Sequence, residues 1–350
     1  MPRAVLEEYG IEENMLRIIP FGNGLINNTW KIELPGREFI LQRINTEVFK
    51  DPQKIAGNIR RIGDYLKTSY PEYTFVSPIP NKEGRDMIKS NGAEKDAGYY
   101  RLFPFVPGSH TSDVVLTPEL AFEAASQFGR FTRLLAGFNP SLLSTTIPKF
   151  HDLGYRYDQF REAIKKGNRR RILEAETLIK TLTKHADIVK EYRRIMDDPG
   201  FRLRVTHHDT KISNVLFDAN DKGICVIDLD TVMPGYFISD VGDMMRTYLS
   251  PVSEEEQDFD KIIVRPEFYK AIVGGYFSEM KDVLTETERN YFVYAGKFMI
   301  YMQAVRFLTD HLYNDTYYKV SYPRQNYVRA ANQADLLKKL CWLEKEKALN

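Results

Sequence analysis

Residues 205–214 read VTHHDTKISN, which places two histidines, an aspartate, a lysine and an asparagine within eight residues, directly after the segment FRLR. Such a dense group of polar side chains is typical of a metal site, of a phosphoryl-transfer loop or of a plain polar turn between buried strands. A zinc site is disfavoured, because adjacent histidines such as His207 and His208 point to opposite sides of an extended segment. The other histidines lack the spacing of zinc ligands; they are His110, His151, His185 and His311.

Two strand-like runs follow the loop, 214–218 (NVLFD) and 223–229 (GICVIDL), and the residues between them favour a turn. If the runs form a hairpin centred on residue 221, Asn214 faces Asp228 with Cβ atoms about 4.5–5.5 Å apart. Both side chains offer hard oxygen atoms. Proteins typically hold Mg²⁺ with one or two carboxylates while substrate phosphates supply further ligands. The pattern therefore predicts a magnesium site at the end of the hairpin.

Asp209 and Lys211 add the remaining chemistry of a phosphoryl-transfer loop. A carboxylate at the mouth of the loop can accept the proton of an attacking hydroxyl, and the lysine adds positive charge for a moving phosphoryl group. Positioning, a base and charge neutralisation are most of what such a transfer requires. We therefore favour phosphoryl transfer over a polar turn.

The composition indicates a globular protein with balanced charge: 350 residues, 43% hydrophobic, net charge +1. This length allows one large domain or two lobes, and the charge balance argues against a nucleic-acid binder. Two distant cysteines, Cys225 and Cys341, fit a reducing compartment. The first residues lack a signal-peptide pattern, and the most apolar segment, 291–308, contains Lys297 and Arg306, which predicts a buried helix and not a membrane span. We expect a cytoplasmic protein with no nucleic-acid or membrane partner.

Strand patterns dominate the first hundred residues, and helical spacing of apolar residues dominates the remainder. The exceptions are a helix predicted over 51–70 and a β-rich patch at about 203–232. A connector with two prolines and a glycine, 103–111, separates the two parts. The sequence predicts an α+β fold with a β-rich lobe, 1–105, a mainly helical lobe, 106–350, and a ligand cleft between them.

The string His207-x-Asp209-x-Lys211-x-x-Asn214, followed by Asp228, resembles the catalytic loop and the metal-binding aspartate of the protein-kinase-like superfamily. The sequence from about residue 20 to residue 333 is similar to the N-acetylhexosamine 1-kinases. This family belongs to the aminoglycoside-phosphotransferase branch of the superfamily. The segments that carry this resemblance are LRVTHHDTKISNVLFD (203–218), VIDLDTVMPG (226–235), SDVGDMMR (239–246) and VRFLTDHLYNDTYYKVSYPRQNYVR (305–329).

The resemblance implies a two-lobed, protein-kinase-like fold and an ATP-dependent kinase of a sugar hydroxyl, with the anomeric hydroxyl of N-acetylglucosamine or N-acetylgalactosamine as the acceptor. Asp209 would be the base and would touch the sugar. Asn214 and Asp228 would hold Mg²⁺ on the phosphates, and Lys211 would steady the phosphoryl group. A kinase of another small alcohol, such as an aminoglycoside, choline or homoserine, is an alternative.

The nucleotide side departs from the kinase pattern. Gly22-Asn23-Gly24 is either a hairpin turn or a phosphate-covering loop, and Asn27 stands where such a loop has its third glycine. Gln42 replaces the strand lysine and Asn58 the glutamate of the next helix. Either these two form a neutral pair in place of an ion pair, or the next residue, Arg43, reaches the phosphates. The implied nucleotide site comprises Gly22, Gly24, Asn27, Gln42, Arg43 and, at the hinge, Phe103.

Two alternatives to an active kinase follow from the same residues. The missing lysine leaves room for a nucleotide-binding scaffold, although the intact Asp209 and Asp228 argue against it. Residues 226–233, VIDLDTVM, also mimic the nucleophile strand of haloacid-dehalogenase-type phosphatases, with Asp228 as nucleophile and Asp230 as acid. That interpretation leaves the loop at 205–214 unexplained. In a kinase, Asp230 is either a second metal ligand or a cap of the following turn.

Asp240 and Asp243, in SDVGDMMR, are expected to open a helix with Ser239 or Asp240 as its N-cap. The resemblance implies that an aspartate here also ties down the catalytic loop. Arg246, on the same helix, is expected to pair with one of the two aspartates.

A sugar pocket needs side chains that make forked hydrogen bonds to hydroxyls, together with an aromatic face. Arg306 and Asp310 are four residues apart and share a helix face, either as sugar contacts or as an ordinary salt bridge. The resemblance favours Arg306 and Tyr317 as sugar contacts. The mixed charge of this segment disfavours aminoglycosides and choline. The candidates are Arg306, Asp310, Tyr313, Tyr317 and Tyr322.

Overall fold

The computed structural model describes residues 3–12, 16–22, 26–91 and 97–349. The chain forms two compact units. The sheet unit comprises Met1–His110, Gly137–Pro148 and Leu216–Pro234, and the helical unit comprises Thr111–Ala136, Lys149–Val215 and Gly235–Asn350. This division differs from the predicted boundary after residue 105, because two later segments, one of them the hairpin that leads to Asp228, make their contacts chiefly within the sheet unit.

The sheet unit is built on a five-stranded antiparallel sheet with the strand order β1-β2-β3-β5-β4. Because β5 lies between β3 and β4, Gln42 on β3 pairs directly with Arg101 on β5. Apolar side chains of the sheet, among them Leu41 and Leu102, pack against Leu6 of helix α1 (Arg3–Glu8). The strands are β1 (Arg17–Pro20), β2 (Asn28–Leu34), β3 (Arg37–Ile44), β4 (Ile88–Ser90) and β5 (Gly98–Pro104).

Helix α2 (Pro52–Ser69) confirms the helix predicted over 51–70. Its buried face is formed by apolar residues at spacings of three and four, among them Ile55, Ile59 and Ile62. Pro52 occupies the first turn of the helix, where backbone N–H groups have no intrahelical acceptor. The missing N–H of proline therefore costs no hydrogen bond here. The helix contacts the 3-10 turn Leu229–Thr231, which directly follows Asp228.

The helical unit contains most of the helices. The structure defines the ends of these helices more closely than the sequence pattern does. Residues 169–197, which lie in the part of the chain with helical spacing of apolar residues, are divided by two turns into α5, α6 and α7. The helices are α3 (Pro118–Leu134), α4 (Leu153–Lys166), α5 (Arg169–Glu174), α6 (Glu176–Lys184), α7 (Asp187–Asp197), α8 (Phe237–Tyr248), α9 (Pro266–Met280), α10 (Glu286–Arg289), α11 (Phe292–Leu312) and α12 (Gln325–Lys345). Short strands stand between α7 and α8: β6 (Arg204–Thr206), β7 (Val215–Phe217), β8 (Gly223–Val226) and β9 (Met233–Gly235).

Helix α11 confirms the buried helix predicted over 291–308. Residues on all its faces are buried, among them Phe298, Ile300 and Met302, and it packs against α12, α8 and α4. A helix that is apolar all round belongs in the core of a large protein or in a membrane. No helix in the described part of the chain has both the length and the apolar character required to span a membrane.

The hairpin of β7 and β8 is centred one residue earlier than predicted. The Asp218 N–H donates to the Lys222 carbonyl (2.8 Å), and the Asp221 N–H donates to the Asp218 carbonyl (3.0 Å). Asp221 has φ 59°, the left-handed conformation that a three-residue hairpin loop requires. The centre is residue 220, so the predicted register, which set Asn214 directly opposite Asp228, is wrong. The error moves each partner by two residues, and every side chain therefore keeps its face.

Candidate active site

Asp209 is held by residues that follow it in the same loop. Asn214 Nδ2 donates to the Asp209 carbonyl (2.8 Å) and to its carboxylate Oδ2 (3.1 Å), because the 3-10 turn Ile212–Asn214 brings the amide back to the aspartate. Lys211 Nζ lies 3.1 Å from Oδ1. The carboxylate chiefly raises the pKa of Lys211, which stays charged at neutral pH. Asp209 is thus oriented from two sides, while its side chain remains 23% exposed.

Strained backbone occurs in both loops that the sequence singled out. His208 has φ 65° and Asp228 has φ 58° and ψ 63°, the left-handed conformation that non-glycine residues rarely adopt. Such conformations persist only where the surrounding structure over-determines them, and they cluster at functional sites. The strain therefore marks both loops as functional candidates.

Helix α8 fixes the backbone of the loop at 205–214. The carboxylate of Asp240 accepts the N–H groups of His207 (2.9 Å) and His208 (2.8 Å), and the carboxylate of Asp243 accepts the N–H of Thr210 (2.8 Å). All these groups are buried, and buried N–H groups must be paired. The expectation that an aspartate here ties down the loop is confirmed.

The other expectation for these aspartates is wrong. The N-cap residue of α8 is Tyr236, so Ser239 and Asp240 lie within the first turn and cap nothing. The carboxylate of Asp240 is directed at the loop because both of its oxygens accept loop N–H groups. Arg246 pairs with Asp243 (3.0 Å) and so supports the second anchor.

Replacing Asp240 by asparagine is expected to lower the free energy of unfolding by about 1–3 kcal/mol, because the amide offers one acceptor where two buried N–H groups need one each. Burial raises the pKa of Asp240 from 3.8 to about 7, against the opposing effect of these N–H bonds. Because the folded-state pKa is raised, the stability that this group contributes is full below pH 3.8 and is lost as the pH rises through about 7. Asp240→Asn has no such loss. Urea unfolding at pH 5 and pH 8 should show a smaller difference from wild type at pH 8; a larger one there would contradict the assignment.

The adjacent histidines have different surroundings. His207 is fully buried, with its ring edge-on to Phe128 of helix α3 (5.1 Å between centroids), so that it packs the loop against this helix. His208 lies between Thr206 (Nε2 to Oγ1, 2.7 Å) and His151 (Nδ1 to Nδ1, 3.3 Å). Burial first, and then His208, lower the pKa of His151. His151 is therefore neutral at physiological pH and supports the loop through a hydrogen bond.

In the sheet unit, Gln42 is paired with a residue that the sequence reasoning did not single out. Its Oε1 accepts two bonds from Arg101, one from Nε (3.1 Å) and one from Nη2 (2.8 Å). Asn58 uses its amide on the backbone of Ser144 (2.8 Å for both bonds) and Val232 (3.0 Å). The predicted neutral pair of Gln42 and Asn58 is therefore wrong. An arginine inside the apolar strand GYYRLFP was the signal for the pairing observed.

Asp230 belongs to the same network. Its Oδ1 lies 2.5 Å from Arg101 Nη1, and its Oδ2 accepts a bond from Asn27 Nδ2 (2.7 Å). The amide oxygen of Asn27 in turn accepts the N–H of Asn45 (3.0 Å). Asp230 is only 2% exposed. Both side chains are engaged within the sheet unit, which disfavours the predicted metal role of Asp230 and the predicted phosphate contact of the Asn27 side chain.

The remaining nucleotide candidates have diverse surroundings. Arg43 donates to its cross-strand partner Asn28 (3.1 Å). The Phe103 ring lies 5.0 Å from the guanidinium of Arg101. Gly22 has φ 75° and open space on its Cβ side, so that its backbone is accessible to a ligand. The prediction for Gly24 falls outside the described residues.

The helical unit contains a pocket of about 230 Å³. The guanidinium of Arg306 lies 5.6 Å from the ring centroids of both Phe150 and Tyr318. Arg156 enters from α4; burial and then the charge of Arg306 lower its pKa. The sequence reasoning found Arg306, Tyr313 and Tyr317, but it missed the contribution of α4. The lining includes Arg156, Gln159, Glu162, Arg306, Tyr313 and Tyr317.

Asp310 lines the pocket, but its carboxylate serves the backbone. It accepts the N–H groups of Tyr317 (2.8 Å) and Tyr318 (2.9 Å) and a bond from Asn326 Nδ2 (3.0 Å). Asp310 therefore anchors the segment that carries Tyr317. The sequence analysis predicted a sugar contact or a salt bridge with Arg306 for Asp310, and it did not predict this role.

The two predicted magnesium ligands belong to different units, Asn214 to the helical unit and Asp228 to the sheet unit. Asn214 directs its amide nitrogen at Asp209, which turns its amide oxygen away from the carboxylate. Asp228 contributes a carboxylate, and hard oxygen atoms are what Mg²⁺ prefers. Within residues 3–12, 16–22, 26–91 and 97–349, no group of three or more His, Cys, Asp or Glu side chains is arranged for a metal ion. Mg²⁺ that is bound by one or two protein side chains takes its other ligands from phosphates and water.

Comparisons with known proteins agree with this geometry. The model of the phosphotransferase enzyme family matches residues 17–283. A microcompartment-associated aminopropanol kinase is similar over 99% of this chain and 98% of its own, with a TM-score of 0.64 and 17% identity. An aminoglycoside phosphotransferase from Alicyclobacillus acidocaldarius is similar over 99% and 96%, with a TM-score of 0.64 and 14% identity. An amicoumacin kinase in complex with AMP-PNP and Ca²⁺ is similar over 96% and 93%, with a TM-score of 0.63 and 13% identity. The predicted α+β, protein-kinase-like fold is confirmed.

Proposed function

The chain belongs to the phosphotransferase enzyme family, and we propose that within this family it transfers the terminal phosphoryl group of ATP to the anomeric hydroxyl of an N-acetylhexosamine. Family membership itself makes the chain a small-molecule phosphotransferase with an alcohol as acceptor, with ATP and a divalent metal ion as cofactors. The sugar and the anomeric position are supported by the resemblance of residues 203–329 to the N-acetylhexosamine 1-kinases and by the pocket around Arg306.

The fixed carboxylate of Asp209 is the observation that carries the proposal. Asn214 and Lys211 orient this carboxylate, and Asp240 and Asp243 hold the loop backbone on either side of it. A group that accepts a proton during transfer must be placed before the reaction, because misplacement by 1 Å can cost two orders of magnitude in rate. We assign Asp209 as the base that accepts the proton of the sugar hydroxyl. General base catalysis of this kind contributes about 10²–10⁴-fold in rate.

Lys211 and the metal ligands share the task of charge neutralisation. Lys211 remains protonated beside Asp209 and is placed to stabilise negative charge on the transferred phosphoryl group. We assign Asn214 and Asp228 to Mg²⁺, which when bound neutralises the phosphates of ATP. We propose that the backbone at Gly22 and the side chain of Arg43 bind the phosphates of ATP, and that the backbone near Phe103 binds the adenine. Two free cysteines, Cys225 and Cys341, fit the reducing cytoplasm in which we place this activity.

The pocket supports a neutral, hydroxyl-rich acceptor. Arg156 and Arg306 supply several N–H donors for hydroxyl or acetyl oxygens, and Tyr313 and Tyr317 add aromatic surface. Burial first, and then repulsion by the guanidinium of Arg306, lower the pKa of Arg156. The two carboxylates of the lining are engaged elsewhere, Glu162 by Lys166 (2.8 Å) and Asp310 by backbone N–H groups, so an acceptor with an ammonium group would add a third positive charge beside the two guanidinium groups. This supports an acetylated sugar over aminoglycosides and choline.

The alternatives differ in what supports them. A kinase of another small alcohol shares the family and the loop, and the aminopropanol and aminoglycoside enzymes among the structural neighbours keep it as the second candidate. A phosphatase with Asp228 as nucleophile would need Asp230 as the acid. Asp230 is buried, and both of its oxygens are engaged by Arg101 and Asn27, so that interpretation is not retained.

The experiment that tests the proposal measures ADP release with ATP and Mg²⁺ against a panel of N-acetylglucosamine, N-acetylgalactosamine, glucose, choline, homoserine and kanamycin. The phosphorylated position is read by phosphorus NMR. We expect the highest turnover with an acetylhexosamine and a 1-phosphate as product. Turnover confined to choline, homoserine or kanamycin would keep Asp209 as base and would overturn the assignment of the pocket.

Glucosamine provides a matched probe of the pocket charge, since it differs from N-acetylglucosamine only at the nitrogen. Below the pKa of its amine we expect kcat/KM to be lower for glucosamine by at least about tenfold, because an ammonium beside Arg156 and Arg306 meets like charge. The ratio of the two kcat/KM values should fall as the pH rises and the amine loses its proton, and it should level off at the value set by the missing acetyl group. A pH-independent ratio would show that the pocket does not select by charge.

A further inference from the structure

Arg101 joins three strands of the sheet to the segment that follows Asp228. Its side chain is 1% exposed, donates twice to Gln42 on β3 and pairs with Asp230. Gln42 Nε2 donates to Thr29 on β2 (3.3 Å). Asp230 also accepts the bond from Asn27, the residue directly before β2. Arg101 and Asn27 therefore converge on one carboxylate, and Gln42 on β3 is connected to it through Arg101.

The charges in this cluster are balanced within the sheet unit. A buried guanidinium is unfavourable unless it is paired and hydrogen-bonded, and Arg101 has one anion, one amide acceptor and the Phe103 ring beside it. Gln42 is its register partner across the strands. A lysine at residue 42 would place a second cation beside Arg101, whereas glutamine accepts its hydrogen bonds. Glutamine at 42 and arginine at 101 therefore form one arrangement, in which β5 supplies the cation and β3 supplies a neutral acceptor for it.

We infer that Arg101 is a positioning residue for Asp228: through Asp230 it holds the magnesium ligand in place. The inference rests on the proposed role of Asp228. The 3-10 turn Leu229–Thr231 begins directly after Asp228, whose left-handed backbone needs support from its surroundings. The ion pair at Asp230, two residues further on, supplies that support.

The test uses the full chain with Arg101→Met, which keeps the length of the side chain and removes the charge, and with Asp230→Asn. Calorimetry of ADP binding at stepped Mg²⁺ concentrations gives the Mg²⁺ concentration for half-maximal binding. We expect both variants to raise it by about 10–100-fold, the usual effect of losing an outer-shell partner of a metal ligand. The KM for the sugar should not change. Amide hydrogen exchange of ligand-free protein should become faster in peptides that cover 226–232.

Arg204→Met is the matched control, because Arg204 forms an equally buried ion pair with Glu288 (2.5 Å) in the helical unit. It should lower the melting temperature as Arg101→Met does and leave the Mg²⁺ requirement unchanged. The double variant Arg101→Gln with Gln42→Lys moves the cation to β3 and should recover Mg²⁺-dependent binding, also in the event that Arg101→Met does not fold.

A folded Arg101→Met variant with the wild-type Mg²⁺ requirement and unchanged exchange in 226–232 would overturn the inference, as would a double variant that folds without recovery. Because ADP binding needs no acceptor, failure of the sugar assignment is separable. A wild-type protein that binds Mg²⁺ with ADP and phosphorylates no sugar contradicts the proposed substrate and leaves the role of Arg101 to be decided by the same titration.

Discussion

Asp209→Asn is expected to lower kcat by a factor on the order of 10²–10⁴ while the affinity for nucleotide stays close to wild type. Asparagine cannot accept the hydroxyl proton, yet it matches the aspartate in size and can keep the bond from Asn214 to the loop. The carbonyl of residue 209, which accepts the shorter of the two Asn214 bonds (2.8 Å), is unaffected by the substitution. The loss should therefore lie in the chemical step and not in the fold.

Single-turnover kinetics at saturating ATP and sugar isolate that step, and calorimetry with a non-hydrolysable ATP analogue checks nucleotide binding. Asp197→Asn, at the exposed end of α7, is the matched control with the same change of charge. It should behave as wild type. Turnover by Asp209→Asn equal to that of the control would remove Asp209 as the base and with it the proposed mechanism.

Asp228→Asn is expected to abolish the Mg²⁺-dependent part of nucleotide binding, a loss larger than the about 10- to 100-fold that an outer-shell substitution causes. Asparagine is the informative replacement because it tolerates the left-handed conformation found at this residue (φ 58°). The variant removes the charge and retains the backbone geometry. Binding in the absence of Mg²⁺ should remain, because the nucleotide contacts assigned to Gly22 and Phe103 are untouched.

Asp228→Ala separates the two properties of this residue. It loses the carboxylate as Asp228→Asn does, and it also places an ordinary Cβ in the left-handed region, which costs roughly 1–2 kcal/mol. We expect equal loss of Mg²⁺-dependent binding in the two variants and a lower melting temperature for alanine alone. Wild-type nucleotide affinity in the presence of Mg²⁺ for either variant would count against Asp228 as a metal ligand.

The local features of this protein could be predicted from its sequence. The catalytic-loop pattern lies within ten residues, and the support of Asp209 by Asn214 and Lys211 is formed inside the same loop. Helices α2 and α11 were predicted because their burial follows from apolar spacing over several turns. In each case the interacting residues are close in the chain, so the pattern and the structure report the same contacts.

Features that depend on one precise turn or on distant partners were missed. One left-handed residue, Asp221, shifted the hairpin register by two residues. Asp310 shares a helix face with Arg306, but its carboxylate is directed at N–H groups of a later segment, 317–318. The N-cap prediction at Asp240 failed because the helix begins earlier and the side chain serves the catalytic loop. Local spacing does not reveal which distant backbone groups need an acceptor.

The sequence by itself determined the fold class, the helices with strong periodicity and the loop at 205–214. Only the tertiary structure decided which residue pairs with Gln42. Gln42 and Arg101 are far apart in the chain and become neighbours because β5 inserts between β3 and β4. A strand shows in its own residues which positions share a face, but its neighbours are chosen by the packing of the whole sheet. Burial then requires that each enclosed charge find a partner among those neighbours, and Arg101 finds Asp230.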